Sequence, residues 1–194
     1  MAKGATKLGG VNILLGISGG VAAYKAVEFA SKLRAAGAHV KCVMTESACR
    51  LVGPKSLEAV TGSVVYTSLW ESPEEYSIGH VSLAEWADIV VLAPATANII
   101  GKIANGICDD LLSTVFCACW SKSVLAAPAM NNNMWENPAV RHNVSLLTDR
   151  GFEFAGPKTG RLACGSEAIG RMAEPQEILE AVEKIAYRIK GKKR

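Results

Sequence analysis

A few short segments carry residue types suited to holding a ligand or moving a proton. Ser18-Gly19-Gly20-Val21 follows an apolar run. Glycines there let backbone N–H groups approach a phosphate, and a helix start adds a favourable dipole. Ala22 and Ala23 follow, so neither a GxGxxG fingerprint nor a Walker lysine is present. The segment is either a cradle for a single phosphate or a ligand-free tight turn. Thr45-Glu46-Ser47 offers further hydroxyls. Pro94-Ala95-Thr96-Ala97-Asn98 offers small residues and an amide for a flat ring or a phosphate, although taken alone it is better explained as an ordinary Thr or Asn helix cap. Pro128–Trp135 (PAMNNNMW) is the oddest segment. Consecutive asparagines compete with helix and sheet for backbone hydrogen bonds, and such local inconsistency tends to mark function. Their amides suit a carboxylate or an amide.

Two isolated groups add chemistry. His80 precedes the apolar-periodic stretch Val81–Ala87. A lone histidine is usually structural, yet its unperturbed pKa of about 6.5 suits an acid or base. Cys164 lies near Arg161, whose charge favours a thiolate, in a segment read as a mobile loop. By position alone it is an ordinary loop thiol. His39 and His142 read as structural.

These positions follow elements that must hold them. Val11–Ile17, Ala38–Thr45, Asp88–Ala93 and Ser123–Ala127 are apolar runs of the kind that form buried parallel strands. Phe152–Ala155 reads as a further short strand. Helical patterns span Val21–Ala36, stopped by Gly37, and Ser47–Thr61, broken at Gly53-Pro54. Others begin near Ala97 and cover Asp110–Trp120, Pro138–Arg150 and Pro175–Lys190. Gly156–Glu174 reads as a loop, of a length that is usually functional or disordered. The alternation predicts an α/β fold: a Rossmann-like (flavodoxin-like) open parallel sheet with helices on both faces. Its crossovers are right-handed and its ligands bind beyond the carboxyl ends of the strands. Residues 1–10 are predicted to be a disordered leader, 11–190 one domain and 191–194 a basic tail.

Composition narrows the class. The 194 residues are 49% hydrophobic and 20% charged, enough to bury a core. The net charge of +3 gathers at Lys190–Arg194, a solvated end, and no basic patch is interleaved with aromatics, so nucleic acid is not an expected partner. No run approaches the roughly 18 apolar residues of a membrane span, and no secretory signal is read at the start. The six cysteines are scattered without CxxC spacing. No metal is expected, and reduced thiols in the cytoplasm are.

In order, GISGGVAAYK (Gly16–Lys25), GHVSLAEWAD (Gly79–Asp88), PATAN, PAMNNNMW and LACGSEAIGRMAEP (Leu162–Pro175) resemble the motifs of the homo-oligomeric flavin-containing cysteine decarboxylases. The resemblance runs from about Val11 to Pro175 and leans toward the branch acting on 4'-phosphopantothenoylcysteine. It implies flavin mononucleotide (FMN) contacts at Ser18, Gly19, Gly20, Val21, Thr45, Ser47, Thr96, Ala97, Asn98 and Ala129. It implies His80 as the active-site base, Asn131 holding the substrate carboxylate with Met134 nearby, and a flap carrying Arg161 and Cys164. The implied reaction yields 4'-phosphopantetheine for coenzyme A biosynthesis. The flavin oxidises the thiol to a thioaldehyde, carbon dioxide leaves, and the enethiolate is re-reduced with Cys164 as proton donor. The resemblance also implies trimers or tetramers of trimers with sites between subunits, so His80 and Asn131 need not meet within one chain.

This chain departs from the pattern at Ile99, where a hydroxyl is usual, and at Ala168, where glycine is usual. No ligase segment follows the last helix, so either another polypeptide supplies the cysteine-adding step or this chain is part of a longer one. Peptidyl-cysteine decarboxylases, which stop at an aminoenethiol in peptide tailoring, are the alternative, disfavoured by Cys164. PAMNNNMW disfavours a flavin prenyltransferase. Intact His80, Asn131 and Cys164 disfavour a non-catalytic regulatory subunit.

Overall fold

The computed structural model describes residues 6–70, 79–161 and 167–192. Short apolar runs form β1 (Asn12–Ile17), β2 (His39–Met44), β3 (Val65–Tyr66), β4 (Ile89–Ala95), β5 (Ser123–Pro128) and β6 (Glu153–Phe154). They make one sheet in the order β3-β2-β1-β4-β5-β6, with every pair parallel. The chain winds outward from β1, then crosses back to lay β4 on the other side of β1. The strand order therefore reverses between β1 and β4, where doubly wound sheets open a crevice.

Both faces are covered, which is why these strands are apolar throughout. The helices are α1 (Lys25–Ala35), α2 (Glu46–Cys49), α3 (Pro54–Thr61), α4 (Gly79–Trp86), α5 (Ala97–Asn105), α6 (Leu111–Ala118), α7 (Asn132–Glu136), α8 (Pro138–Asp149) and α9 (Pro175–Lys192). Ile13, Leu15 and Ile17 of β1 join Phe29 and Leu33 of α1 and Ile178 and Val182 of α9 in one core. Leu14, Val90 and Leu92 join Ile99, Ile100 and Phe116 in the other. Alternate residues of each strand thus serve opposite cores. Cys42 and Cys119 are buried, and burial pushes their thiols up to about 12 and about 11. They pack as small hydrophobes.

Helix ends follow local chemistry. Asp110 and Ser113 form a reciprocal capping box at α6. Pro54 and Pro138 occupy first turns, and Gly62 and Gly106 close α3 and α5 in left-handed conformation.

Several expectations need correction. Val21–Tyr24 is a 3-10 turn, and α1 proper starts at Lys25, because Val21 and Tyr24 face solvent and gain no packing. The segment read as a loop after Gly156 contains the antiparallel hairpin of β7 (Lys158–Arg161) and β8 (Glu167–Arg171). Its strands lack apolar alternation, so no sequence period announced them. The asparagine segment contains α7, and β3 is too short to read. The final helix reaches Lys192, into the expected tail. From Thr6 onward the expected leader is folded: Leu8 is fully buried, and its N–H donates to the Ala36 carbonyl at 3.1 Å. Lys7 pairs with Glu183 of α9 at 2.7 Å, and Lys190 donates to the Gly9 carbonyl.

Truncating Leu8 tests that packing. Leu8→Ala should lower the unfolding free energy by about 2–5 kcal/mol, read from urea denaturation. An unchanged midpoint would show that these residues add nothing to the core.

Candidate active site

A cleft of about 930 Å³ opens at the carboxyl ends of β1, β4 and β5. Its first wall is the turn after β1. Ser18 is buried, and its hydroxyl donates to the Pro94 carbonyl at 2.7 Å while accepting from the Thr96 N–H at 3.1 Å. The Thr96 hydroxyl is 3.0 Å away. Ser18 therefore fastens the loop after β1 to the loop after β4. Gly19 lies against α2 so closely that a Cβ would fall 2.3 Å from the Ser47 Cβ. Only glycine permits that approach.

The starts of the 3-10 turn, at Gly20, and of α5, at Thr96, have no side-chain cap. Helix starts of this kind attract anions. A smaller pocket of about 390 Å³ adjoins the cleft, shares Gly19, Thr96 and Asn98 with it, and adds Ser18, Thr45 and Ser47. Thr45 is already engaged as the cap of α2, its hydroxyl accepting from the Ala48 N–H at 3.2 Å. Lys102 and Asp110 close this pocket, and Lys102 pairs at 2.7 Å with both Asp109 and Asp110. Burial alone would raise Asp110, but hydrogen bonds from Lys102 and Ser113 outweigh it and hold the carboxyl below its usual range.

The second wall is the asparagine segment. Asn131 caps α7, its side chain accepting from the Asn133 N–H at 2.9 Å. Trp135 is buried beneath it, with the Arg141 guanidinium 4.9 Å from its ring. This anchor leaves Asn131 and Met134 lining the cleft. The hairpin docks on the same segment. The Met130 N–H donates to the Gly170 carbonyl at 3.0 Å. Gly170 has φ +137, and a Cβ there would meet the Met130 carbonyl oxygen at 2.2 Å. Glycine is thus demanded twice, by conformation and by space.

Charges complete the cleft. Lys25, Arg161 and Arg171 line it. Lys25 is buried and donates to both Glu174 carboxylate oxygens, at 3.0 and 2.9 Å. Arg171 pairs with the same carboxylate. The Lys25 hydrogen bond holds Glu174 below the ordinary carboxylate range, against a weaker opposing effect of burial.

The expected site residues therefore fall into groups. Gly19, Gly20, Val21, Thr96, Asn98, Ala129, Asn131, Met134 and Arg161 share the cleft. Ser18, Thr45 and Ser47 line the adjoining pocket. Ala97 is half-buried as the first residue of α5 and lines neither. His80 is half-buried on α4, which packs against α6, and it lines neither. Cys164 lies outside the described residues. Ile99 is fully buried in the core, so that departure does not reach the cleft. Ala168 faces Gly160 across the hairpin. Sequence reasoning missed Lys25, Arg171 and Glu174. Lys25 in the apolar stretch VAAYKAV was a weak signal, and the other two gave none.

The Flavoprotein family model matches residues 1–187. The Coenzyme A biosynthesis bifunctional protein CoaBC of Bacillus subtilis (strain 168) is 48% identical over 173 residues, which make up 89% of this chain and 42% of that protein. The chain thus spans less than half the length of the curated relatives it matches. Among solved structures, a cysteine-to-serine mutant of PPC decarboxylase complexed with pantothenoylaminoethenethiol is similar at TM-score 0.80 and 33% identity, covering 90% of this chain and 97% of that one. The FMN-dependent cysteine decarboxylase SpaF is similar at TM-score 0.79 and 33% identity, covering 92% and 98%.

Gly170→Ala should undock the hairpin, seen as lost hydrogen-exchange protection at the Met130 amide; retained protection would refute the contact. A carboxyl with a lowered folded pKa contributes stability in full above its ordinary value of about 4.3 and loses it as pH falls through the lowered value. Stability to urea should therefore fall more steeply between about pH 5 and pH 3 in the native protein than in Glu174→Gln. Equal slopes would detach Glu174 from this effect.

Proposed function

Because the chain belongs to the Flavoprotein family, we propose that it binds FMN at the carboxyl edge of its sheet and decarboxylates 4'-phosphopantothenoylcysteine to 4'-phosphopantetheine in coenzyme A biosynthesis. The relatives support this reading by what they are: a coenzyme A biosynthesis protein and a PPC decarboxylase caught with an aminoethenethiol. The observation that carries it is the seating of the β7–β8 hairpin on the asparagine segment through Met130 and Gly170. That contact brings a substrate-sized space, an amide and a covering hairpin together beside a cradle suited to a phosphate and a ring.

The residues present fit FMN. The uncapped starts at Gly20 and Thr96, with the Ser47 hydroxyl, suit its phosphate. Ser18, Gly19, Val21, Thr45, Ala97, Asn98 and Ala129 complete its contacts in this reading. Ser18 and Thr45 act chiefly by shaping the loops, since each hydroxyl already has a backbone partner. When bound, FMN supplies reversible two-electron oxidation of the substrate thiol, which makes the neighbouring carboxylate able to leave.

The chain's own side chains then have separate tasks. Asn131 holds the substrate carboxylate through its amide, and Met134 packs beside the thiol-bearing carbon. Arg161 sits on the covering hairpin. His80 is the base, and it serves the cleft of a neighbouring subunit in a homotrimer, alone or within a tetramer of trimers. It lines neither its own cleft nor the adjoining pocket, and a site shared between subunits accounts for that. Cys164 returns a proton to the carbon that lost the carboxylate. Among the described residues no helix is long and apolar enough to cross a membrane, and the reading includes a cytoplasmic location.

Purified protein should be yellow and convert 4'-phosphopantothenoylcysteine to 4'-phosphopantetheine, lighter by one carbon dioxide and without net oxidation, as read by mass spectrometry. Turnover only of peptides ending in cysteine, with gain of unsaturation, would move the protein to the peptide-tailoring class. Cys164→Ser should still release carbon dioxide but accumulate the unsaturated thiol, whereas normal product would remove Cys164 from the chemistry. His80→Asn should keep the flavin spectrum and lose turnover; undiminished activity would refute its role as base.

A further inference from the structure

Among the described residues, every charged side chain lining the 930 Å³ cleft is a cation: Lys25, Arg161 and Arg171. Lys25 and Arg171 both pair with Glu174, and no carboxylate lines the cleft itself among the described residues, so positive charge is in excess there. The neighbouring pocket of about 390 Å³, whose charged lining is Glu46, Lys102 and Asp110, contains none of the three. A cofactor phosphate seated there leaves these cations to another ligand.

Lys25 is the telling member. Its side chain is only 9% exposed, and burying an ammonium is costly even when it is paired. An apolar residue at this first position of α1 would satisfy packing equally well. Glu174 binds Lys25 with both oxygens and also pairs with Arg171, which joins α1 to the end of β8. The carboxylate thereby sets the spacing of two cations from distant parts of the chain. An ammonium has three N–H donors, and a guanidinium has five in a fork suited to phosphate. Glu174 does not exhaust them.

The proposed substrate has two anionic ends. Cations clamped on the departing carboxylate would stabilise the ground state more than the transition state, in which that charge disperses, and so would oppose reaction. The neutral amide of Asn131 suits that end. The cations suit the other end.

We infer that Lys25 and Arg171, spaced by Glu174 and joined by Arg161, form the receptor for the phosphate monoester of the substrate and set the preference for a phosphorylated acyl-cysteine over an uncharged one. This rests on the function proposed above, but binding can test it separately. Affinity of the flavin-loaded protein for 4'-phosphopantetheine and for pantetheine is measured by titration calorimetry in the native protein, Lys25→Gln and Arg171→Gln. The native protein should prefer the phosphorylated ligand. Each variant should lose about 10- to 100-fold of that preference, the effect of removing one charge-assisted hydrogen bond. Arg171 is half-exposed, so its variant guards against misfolding of Lys25→Gln, and an unchanged flavin spectrum checks both. Equal affinity of the native protein for the two ligands overturns the inference. So does a loss of affinity by the same factor for both ligands, which is what a merely structural role would give. Failure of the native protein to decarboxylate either the phosphorylated or the unphosphorylated acyl-cysteine, with the binding preference intact, overturns the proposed reaction and leaves the receptor standing.

Discussion

The buried hydroxyl of Ser18 is the point on which the site depends. It bridges the loops after β1 and β4 by donating to the Pro94 carbonyl and accepting from the Thr96 N–H. Those loops leave the sheet where its strand order reverses, and beyond the last strand pair the ladder adds one long backbone hydrogen bond, from the Ser18 N–H to the Pro94 carbonyl at 3.4 Å. A buried hydroxyl that lost these partners would carry an uncompensated desolvation penalty. The tie brings the 3-10 turn at Val21 and the start of α5 side by side, and neither start has a side-chain cap.

Around that fixed edge, each remaining wall is held by a different kind of force. The asparagine segment is anchored by burial of Trp135 and by capping, with Asn131 serving α7 and Asn137 serving α8. The hairpin has little apolar surface of its own and is fastened at its base by a backbone hydrogen bond to Met130 and by ion pairs around the start of α9. Arg171 reaches Glu174, and Lys158 reaches Glu177 at 2.6 Å. A hairpin held by a few polar contacts can release without disturbing the core.

The two cores explain how such a site stays in register. Alternate residues of β1 and β4 enter opposite clusters, so sliding either strand by one residue would exchange the clusters' contents. The strand ends, and with them Ser18 and Thr96, are thereby set at matching heights. The folded segment around Leu8 adds to the same core and links α1 to α9, the helices that carry Lys25 and follow Glu174.

Much of this was legible in the chain. The four long strands declare themselves as apolar runs, and helix ends at Gly37, Gly53-Pro54 and Pro175 follow from backbone chemistry alone. Asn131 stood out because three asparagines after a buried strand defy local propensity, and the glycines at 19 and 20 because they follow a strand. Apolarity on both faces carries no record of which strand lies beside which, so the order β3-β2-β1-β4-β5-β6 was decided only when the helices closed over the sheet. The hairpin was hidden because its strands draw their stability from docking on Met130, not from their own pattern. The ion pair of Lys25 and Glu174 joins positions 149 residues apart. No local rule couples such residues, because their attraction exists only after the core has brought α1, β8 and α9 to the same edge.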